Sequence, residues 1–359
     1  MEPLLIRMKA ARVLFWPPDA ASLENTLSGK ELLFMKYRVG IDLGGTNIKA
    51  GVVDESYRIV GTAHCKTAMP RPAAAILADM ARMARQAVEN AGLTMDDVLC
   101  VGVGSPGTAN PVSGVVEYSC NLDFEQVPVC SELEKLLSKP VYLENDANAA
   151  AFGEALAGAA RGSKSCVCIT LGTGVGGGII IDGKIYGGFN FAGAELGHIV
   201  IMVDGEPCAC GRRGCWESYA SATALVRQTR RAMEANPDSK MWEIAGSLGN
   251  VDGRTAFDGM RADDPSAREV VKNYIKYIAC GLVNVINIFQ PEVLCIGGGI
   301  CKEGDALLRP IEEYIAAERY SKFCVNQTRL CVATLGNDAG IIGAAFLDQS
   351  GVKERKNEA

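Results

Sequence analysis

Arg38-Val-Gly-Ile41-Asp42-Leu-Gly44-Gly45-Thr46-Asn47-Ile48-Lys49-Ala-Gly-Val-Val53 is the stretch whose reading decides the fold. Apolar residues run up to Ile41, a glycine turn follows Asp42, and a β-branched run resumes at Ile48, so two short strands meet in a tight turn. A third run, from Tyr57 to Lys66, completes an antiparallel meander. The figure returns as Cys166 to Leu171, a turn at Gly172-Thr173-Gly174, and Gly178-Ile-Ile-Ile-Asp182. The chain therefore reads as internally duplicated.

Gly102-Val-Gly104-Ser-Pro-Gly107 and Gly172-Thr-Gly174-Val-Gly-Gly177 both match G-x-G-x-x-G. A dinucleotide site needs a helix to open at that loop, whereas prolines follow the first match and a β-branched strand the second. The G-x-x-x-x-G-K-[ST] pattern of the P-loop NTPases is absent. There remain two hairpin turns at corresponding points of the repeat, each able to present backbone N–H groups to phosphates. A third turn, Gly297-Gly298-Gly299, follows an apolar strand at Val293 to Ile296.

Between these landmarks strands alternate with helices. Residues 73–91 place Ile76, Leu77, Met80, Met83, Ala84, Ala87 and Val88 on one helical face, with Gly92 at the C′ position. Val98–Val103 reads as a strand, Ser131–Leu137 as a helix, Val141–Leu143 as a strand and Ala147–Ala157 as a helix. Pro265 opens a long helix to Phe289 behind an Asp264 cap, and Ala339 to Leu347 forms a last helix of small residues. This alternation predicts a mostly parallel α/β sheet. His64, on the third strand, lies away from every motif and reads as structural or surface.

The chain has 359 residues with 48% hydrophobic and 22% charged, enough for two cores, and a net charge of −6 without a long basic run. That balance points away from nucleic acid and anionic membranes as partners. Neither a membrane-spanning apolar stretch nor a secretory leader is visible, so a cytoplasmic location is expected. Most of the 14 cysteines punctuate apolar runs and are expected to be reduced core residues. Residues 1–35 show no sustained periodicity and read as an appendage, either disordered or an upstream start.

The paired turns with a third glycine turn resemble the superfold of sugar kinases, actin and heat-shock ATPases, over about residues 37–348. That resemblance implies a duplicated α/β fold of two domains with a cleft between them. Residues 36–144, completed by the C-terminal helix 339–349, would form the small domain and 145–338 the large one. The implied nucleotide set is Asp42, Gly44, Gly45, Thr46, Asn47 and Lys49, then Gly172, Thr173 and Gly174, then Gly297 and Gly298 beside the adenosine. Asp42 would act through Mg²⁺, bound with ATP.

Glu195-Leu-Gly-His198, followed by Cys208-Ala-Cys210-Gly-Arg-Arg-Gly-Cys215-Trp-Glu217, gathers one of the chain's two histidines with three cysteines. This is a Cys₃His donor set, the closed tetrahedral combination that zinc prefers, and it predicts one structural Zn²⁺ on His198, Cys208, Cys210 and Cys215. The spacing and the final Cys-x-Glu resemble the signature of the ROK (repressor, open reading frame, kinase) family. The resemblance implies that Glu195, His198 and Glu217 touch sugar hydroxyls. In Glu144-Asn145-Asp146-Ala-Asn148, where a strand yields to a helix, it makes Asn145 and Asp146 sugar ligands and Asp146 the general base. Helix capping is the competing role for that pair. Gly107 and Asn121 are the weaker sugar-side candidates.

The expected activity is ATP-dependent phosphorylation of glucose at its 6-hydroxyl. Kinases for N-acetylmannosamine, N-acetylglucosamine, fructose, mannose or allose share every motif named, and a sugar-sensing repressor would need a winged helix ahead of Asp42. By the same resemblance a homodimer or homotetramer is expected.

Overall fold

The computed structural model describes residues 36–351, so the expected appendage at 1–35 and the last residues of the chain lie outside the description. The opening meander is β1 (Tyr37–Leu43), β2 (Asn47–Val53) and β3 (Ile59–Lys66), and α1 (Ala73–Asn90) follows it. Then come β4 (Val98–Ser105), a small three-stranded sheet of β5 (Thr108–Asn110), β6 (Val115–Ser119) and β7 (Phe124–Val127), α2 (Val129–Leu137), β8 (Val141–Asn145) and α3 (Asp146–Leu156). The repeat restarts with β9 (Cys166–Leu171), β10 (Val175–Ile181) and β11 (Lys184–Ile185). After the cysteine-rich segment the chain forms α4 (Glu217–Ala220), α5 (Ala222–Ala235), α6 (Met241–Ala245), α7 (Thr255–Arg261) and α8 (Pro265–Phe289). It ends with β12 (Val293–Gly297), α9 (Asp305–Glu318), β13 (Arg329–Val332) and α10 (Ala339–Ala345).

The duplication is visible in the strand order. One sheet runs β3-β2-β1-β4-β8 and the other β11-β10-β9-β12-β13. In each, the hairpin pairings are antiparallel and the two crossover pairings parallel. The expected mostly parallel sheet is thus corrected to a mixed one, because tight turns can join only antiparallel neighbours. The β5-β6-β7 sheet was not foreseen. Its strands are three to five residues long, and its turns carry Pro111 and Gly114, so the stretch lacks a sustained period of two. Nor were β13 and α9 foreseen, the latter carrying Pro310 inside it.

Local chemistry accounts for the elements that were foreseen. Asp264 caps α8 by accepting from the Ala267 N–H, with Pro265 at the first position. Gly92 follows α1 at φ +71°, the left-handed value its C′ role requires. The apolar stripe of α8 packs on the second sheet together with Trp216, which is fully buried and donates from Nε1 to the Tyr277 carbonyl at 2.8 Å.

α10 is the element that fixes α3. Its small residues lie against α3, β1 and β4, so closely that a Cβ at Gly343 would stand 1.7 Å from the Ala149 carbonyl oxygen. Arg38 in β1 clamps the end of this segment, with Nη2 2.9 Å from Asp348 Oδ2 and its guanidinium over the Phe346 ring at 4.6 Å. Among the described residues no helix is long and apolar enough to cross a membrane. Because the α3 backbone at Ala149 and Gly153 leaves no room for a Cβ at position 343, Gly343→Val should lower the melting temperature by about 6 °C or more, read by thermal denaturation. An unchanged melting temperature would refute the tight α3–α10 contact.

Candidate functional site

Turn one begins where β1 ends. Asp42 and Lys49 are register partners on β1 and β2, and the ammonium stands 3.5 Å from Asp42 Oδ2. Burial raises the Asp42 carboxyl above its ordinary value, and Lys49 works against that rise. The Gly44 N–H donates to the Asn47 carbonyl at 2.9 Å and Thr67 Oγ donates to the Gly44 carbonyl at 2.6 Å, which sets the turn. Its tip, Gly45 and Thr46, is exposed.

The second turn is braced by the segment that follows the cysteine cluster. Thr223 Oγ1 donates to the Thr173 carbonyl at 2.8 Å, and the Val175 N–H donates to Glu217 Oε2 at 3.0 Å. Gly298, at φ +108°, brings the third turn against this one, since a Cβ there would lie 2.1 Å from the Leu171 carbonyl oxygen. Only glycine meets both the left-handed backbone and that close approach. The turns at Gly172–Gly174 and Gly297–Gly299 are therefore packed neighbours.

A cavity of about 600 Å³ opens between Gly297–Gly299, Lys302, Thr170, the loop at Ala333, Gly336 and Asn337, and α3. It continues into a niche of about 320 Å³ lined by Asp42, Lys49, Asp146, Thr170, Gly176 and Gly340. Ala147, Ala150, Thr170, Gly336 and Asn337 line both, so a single cleft leads from the glycine turn to two carboxylates. Its size suits a nucleotide-sized ligand.

Asp146 opens α3 at the inner end of this cleft. Desolvation pushes its carboxyl up to about 6, the nearby charges of Asp42 and Glu195 add to the rise, and the Ala147 N–H, donating to Oδ1 at 2.9 Å, opposes it. The capping role falls to Asn145. Asn145 Oδ1 accepts from the N–H groups of Ala147 and Asn148 as the helix cap, while its Nδ2 donates to the Gly107 carbonyl at 3.1 Å. Glu144 is buried and holds the Asn145 N–H at 2.9 Å. Asn121 stands exposed beside the tip of turn one, where a Cβ at Gly45 would lie 3.6 Å from its carbonyl oxygen.

The cysteine cluster forms at the other side of Glu217. Ligand atoms of His198, Cys208, Cys210 and Cys215 all lie within 4.8 Å of one another. His198 Nδ1 stands 3.6 Å from Cys208 Sγ, and Cys210 Sγ stands 3.7 Å from Cys215 Sγ. Tetrahedral zinc bonds of about 2.3 Å to sulfur and about 2.1 Å to nitrogen give N···S and S···S separations of roughly 3.6 to 3.8 Å. The four residues fit such an ion. Glu217 Oε1 lies 3.8 Å from Cys208 Sγ, so this carboxylate bridges the cluster and the second turn.

The structure thus gathers Asp42, Lys49, Asp146, Gly297 and Gly298 along one cleft, and Asn145 with Gly107 beside it. Gly44, Asn47, Gly172 and Gly174 shape the two turns, while Thr46 and Thr173 stand at their tips. Sequence reasoning missed Thr170, Glu154, Gly336, Asn337 and Gly340. A Gly-Asn-Asp turn directly ahead of a small-residue helix was the available signal for the last three. Arg212 and Arg213 are exposed, as expected of loop charges, and His64 is exposed opposite Lys49.

With the donor set closed by four side chains, zinc would hold the loop rather than activate water. Cys208→Ser should therefore lower bound zinc and melting temperature together, measured by elemental analysis and thermal denaturation. Loss of zinc with unchanged stability would refute a structural role.

Comparison with known proteins agrees with this geometry. The sequence profile of the ROK family matches residues 38–350. A glucokinase of Streptomyces coelicolor is 37% identical over 321 residues, covering 87% of this chain and 98% of that one. The glucokinase of Thermotoga maritima is 36% identical over 318 residues, covering 88% and 97%. Among solved structures, a ROK family glucokinase from Streptomyces griseus in complex with glucose and AMPPNP superposes with a TM-score of 0.72 at 36% identity, covering 88% of this chain and all of that one. With the cleft and the Cys₃His set both in place, the chain belongs to the ROK family.

Proposed function

We propose that this protein is an ATP-dependent hexokinase that phosphorylates glucose at its 6-hydroxyl, giving glucose 6-phosphate and ADP. The observation that carries the proposal is the single cleft that ends on Asp146, a carboxyl raised by burial and set beside Asp42 and Lys49. The relatives' names support the substrate, since the aligned glucokinases span nearly the whole described chain. A repressor's sensor domain would not require the Asp42, Lys49 and Asp146 arrangement.

In this reading the adenosine lies against Gly297–Gly299 and the phosphates run past Thr170 toward Asp42 and Lys49, cradled by N–H groups of the turns at Gly44–Asn47 and Gly172–Gly174. Mg²⁺, held through Asp42, supplies positive charge to the transferring phosphoryl group. Asn145, Glu195, His198 and Glu217, with Gly107 and Asn121, hold the sugar. Asp146 accepts the proton of the 6-hydroxyl as that oxygen attacks the γ-phosphorus, and ADP leaves. His198 faces the thiol cluster through Nδ1, which leaves Nε2 as the nitrogen for the sugar. Zinc would fix that ring's orientation. The small domain (36–144 with the C-terminal helix) closing on the large one (145–338) keeps water from competing as acceptor.

Two outcomes test the base. Asp146→Asn should lower kcat by about 10² to 10⁴ while glucose binding, measured by calorimetry, persists. Because the carboxylate must be ionised to take the proton, kcat/KM of the wild type should fall tenfold per pH unit below about 6. Turnover retained in Asp146→Asn would remove the role.

A further inference from the structure

We infer that Glu154 is a positioning residue that holds the 334–337 loop of the nucleotide cleft to the helix carrying Asp146. The inference rests on the nucleotide occupying that cleft.

Glu154 lies two turns along α3 from Asp146, about 12 Å by helical rise. It is 2% exposed and forms no ion pair among the described residues. A carboxylate is costly to bury without donors, and here four converge on it. Oε2 accepts from the N–H groups of Ala159 at 2.8 Å and Thr334 at 3.2 Å, with Thr334 Oγ1 at 3.5 Å. Oε1 accepts from the Leu335 N–H at 2.8 Å. Three of those donors belong to residues 334 and 335, far along the chain.

That distant segment connects β13 to α10 and has no ladder of its own. One end is held by the Ala333 N–H donating to the Ile296 carbonyl at 2.9 Å. Glu154 holds the next two residues, and then come Gly336 and Asn337, which line both parts of the cleft. Glu154 itself lines the larger part. One side chain therefore fixes the spacing between the α3 side of the cleft and the loop opposite. An apolar residue there would fill the space but leave the Thr334 and Leu335 N–H groups unpartnered, freeing the loop to shift. Glutamine would oppose those N–H groups with an NH₂ of its own on one arm.

The sugar ligands and Asp146 sit at the other end of α3, so the defect should appear in nucleotide binding. In the full-length protein, Glu154→Gln should raise the KM for ATP by about tenfold, with kcat within about threefold and the glucose KM within about twofold of wild type. Binding of MgAMPPNP by calorimetry should weaken in parallel. Glu154→Asp keeps the charge but shortens the reach, and should raise the ATP KM by about threefold. It carries the test if Glu154→Gln does not fold. A lowered melting temperature with an unchanged ATP KM, or a loss confined to kcat, would overturn the role of Glu154. Failure of the wild type to bind MgAMPPNP would instead overturn the nucleotide reading beneath it.

Discussion

The close contact of α3 with α10 is the constraint on which the rest of the molecule depends. Glycine and alanine at their crossing bring the two backbones within van der Waals reach, and α10 in turn lies on β1 and β4. That seat sets where α3 begins, and α3 begins with Asn145 and Asp146. A helix start placed by packing on both flanks is a rigid platform for a group whose chemistry depends on position to a fraction of an ångström.

The electrostatics of the cleft follow from that placement. Asp146, Asp42 and Glu195 concentrate negative charge at the inner end, partly offset by Lys49. Together with burial, that charge holds the Asp146 carboxyl up at about 6. The Gly297–Gly299 turn lines the far part of the cleft without side-chain bulk. In the proposed reaction backbone dipoles would receive the phosphates and the raised carboxyl of Asp146 the proton, the division of labour that phosphoryl transfer requires. Glu217 joins the second turn to the Cys₃His cluster, so the order of the cysteine-rich loop and that of the turn are one problem.

Much of this was legible in the residues. The meander, its repetition, the long α8 with its Asp264 cap and Pro265, and the Cys₃His set all rest on short-range signals that tertiary contacts do not override. The mixed character of the sheets could also have been drawn from the same tight turns, since they admit only antiparallel neighbours. The β5-β6-β7 sheet escaped because its strands are too short to show alternation. Thr170 and Glu154 escaped for a different reason. Thr170 sits inside an apolar run, and Glu154 looks like an ordinary helix acid until the chain returns with Thr334 and Leu335 to meet it.

The most direct test of the account is ADP release by the purified protein with MgATP over glucose, mannose, fructose, allose, N-acetylglucosamine and N-acetylmannosamine. The account predicts turnover that depends on sugar and is highest in kcat/KM for glucose. Equal or better efficiency with another of these sugars would contradict the substrate, and no ADP release with any of them would contradict the proposed activity.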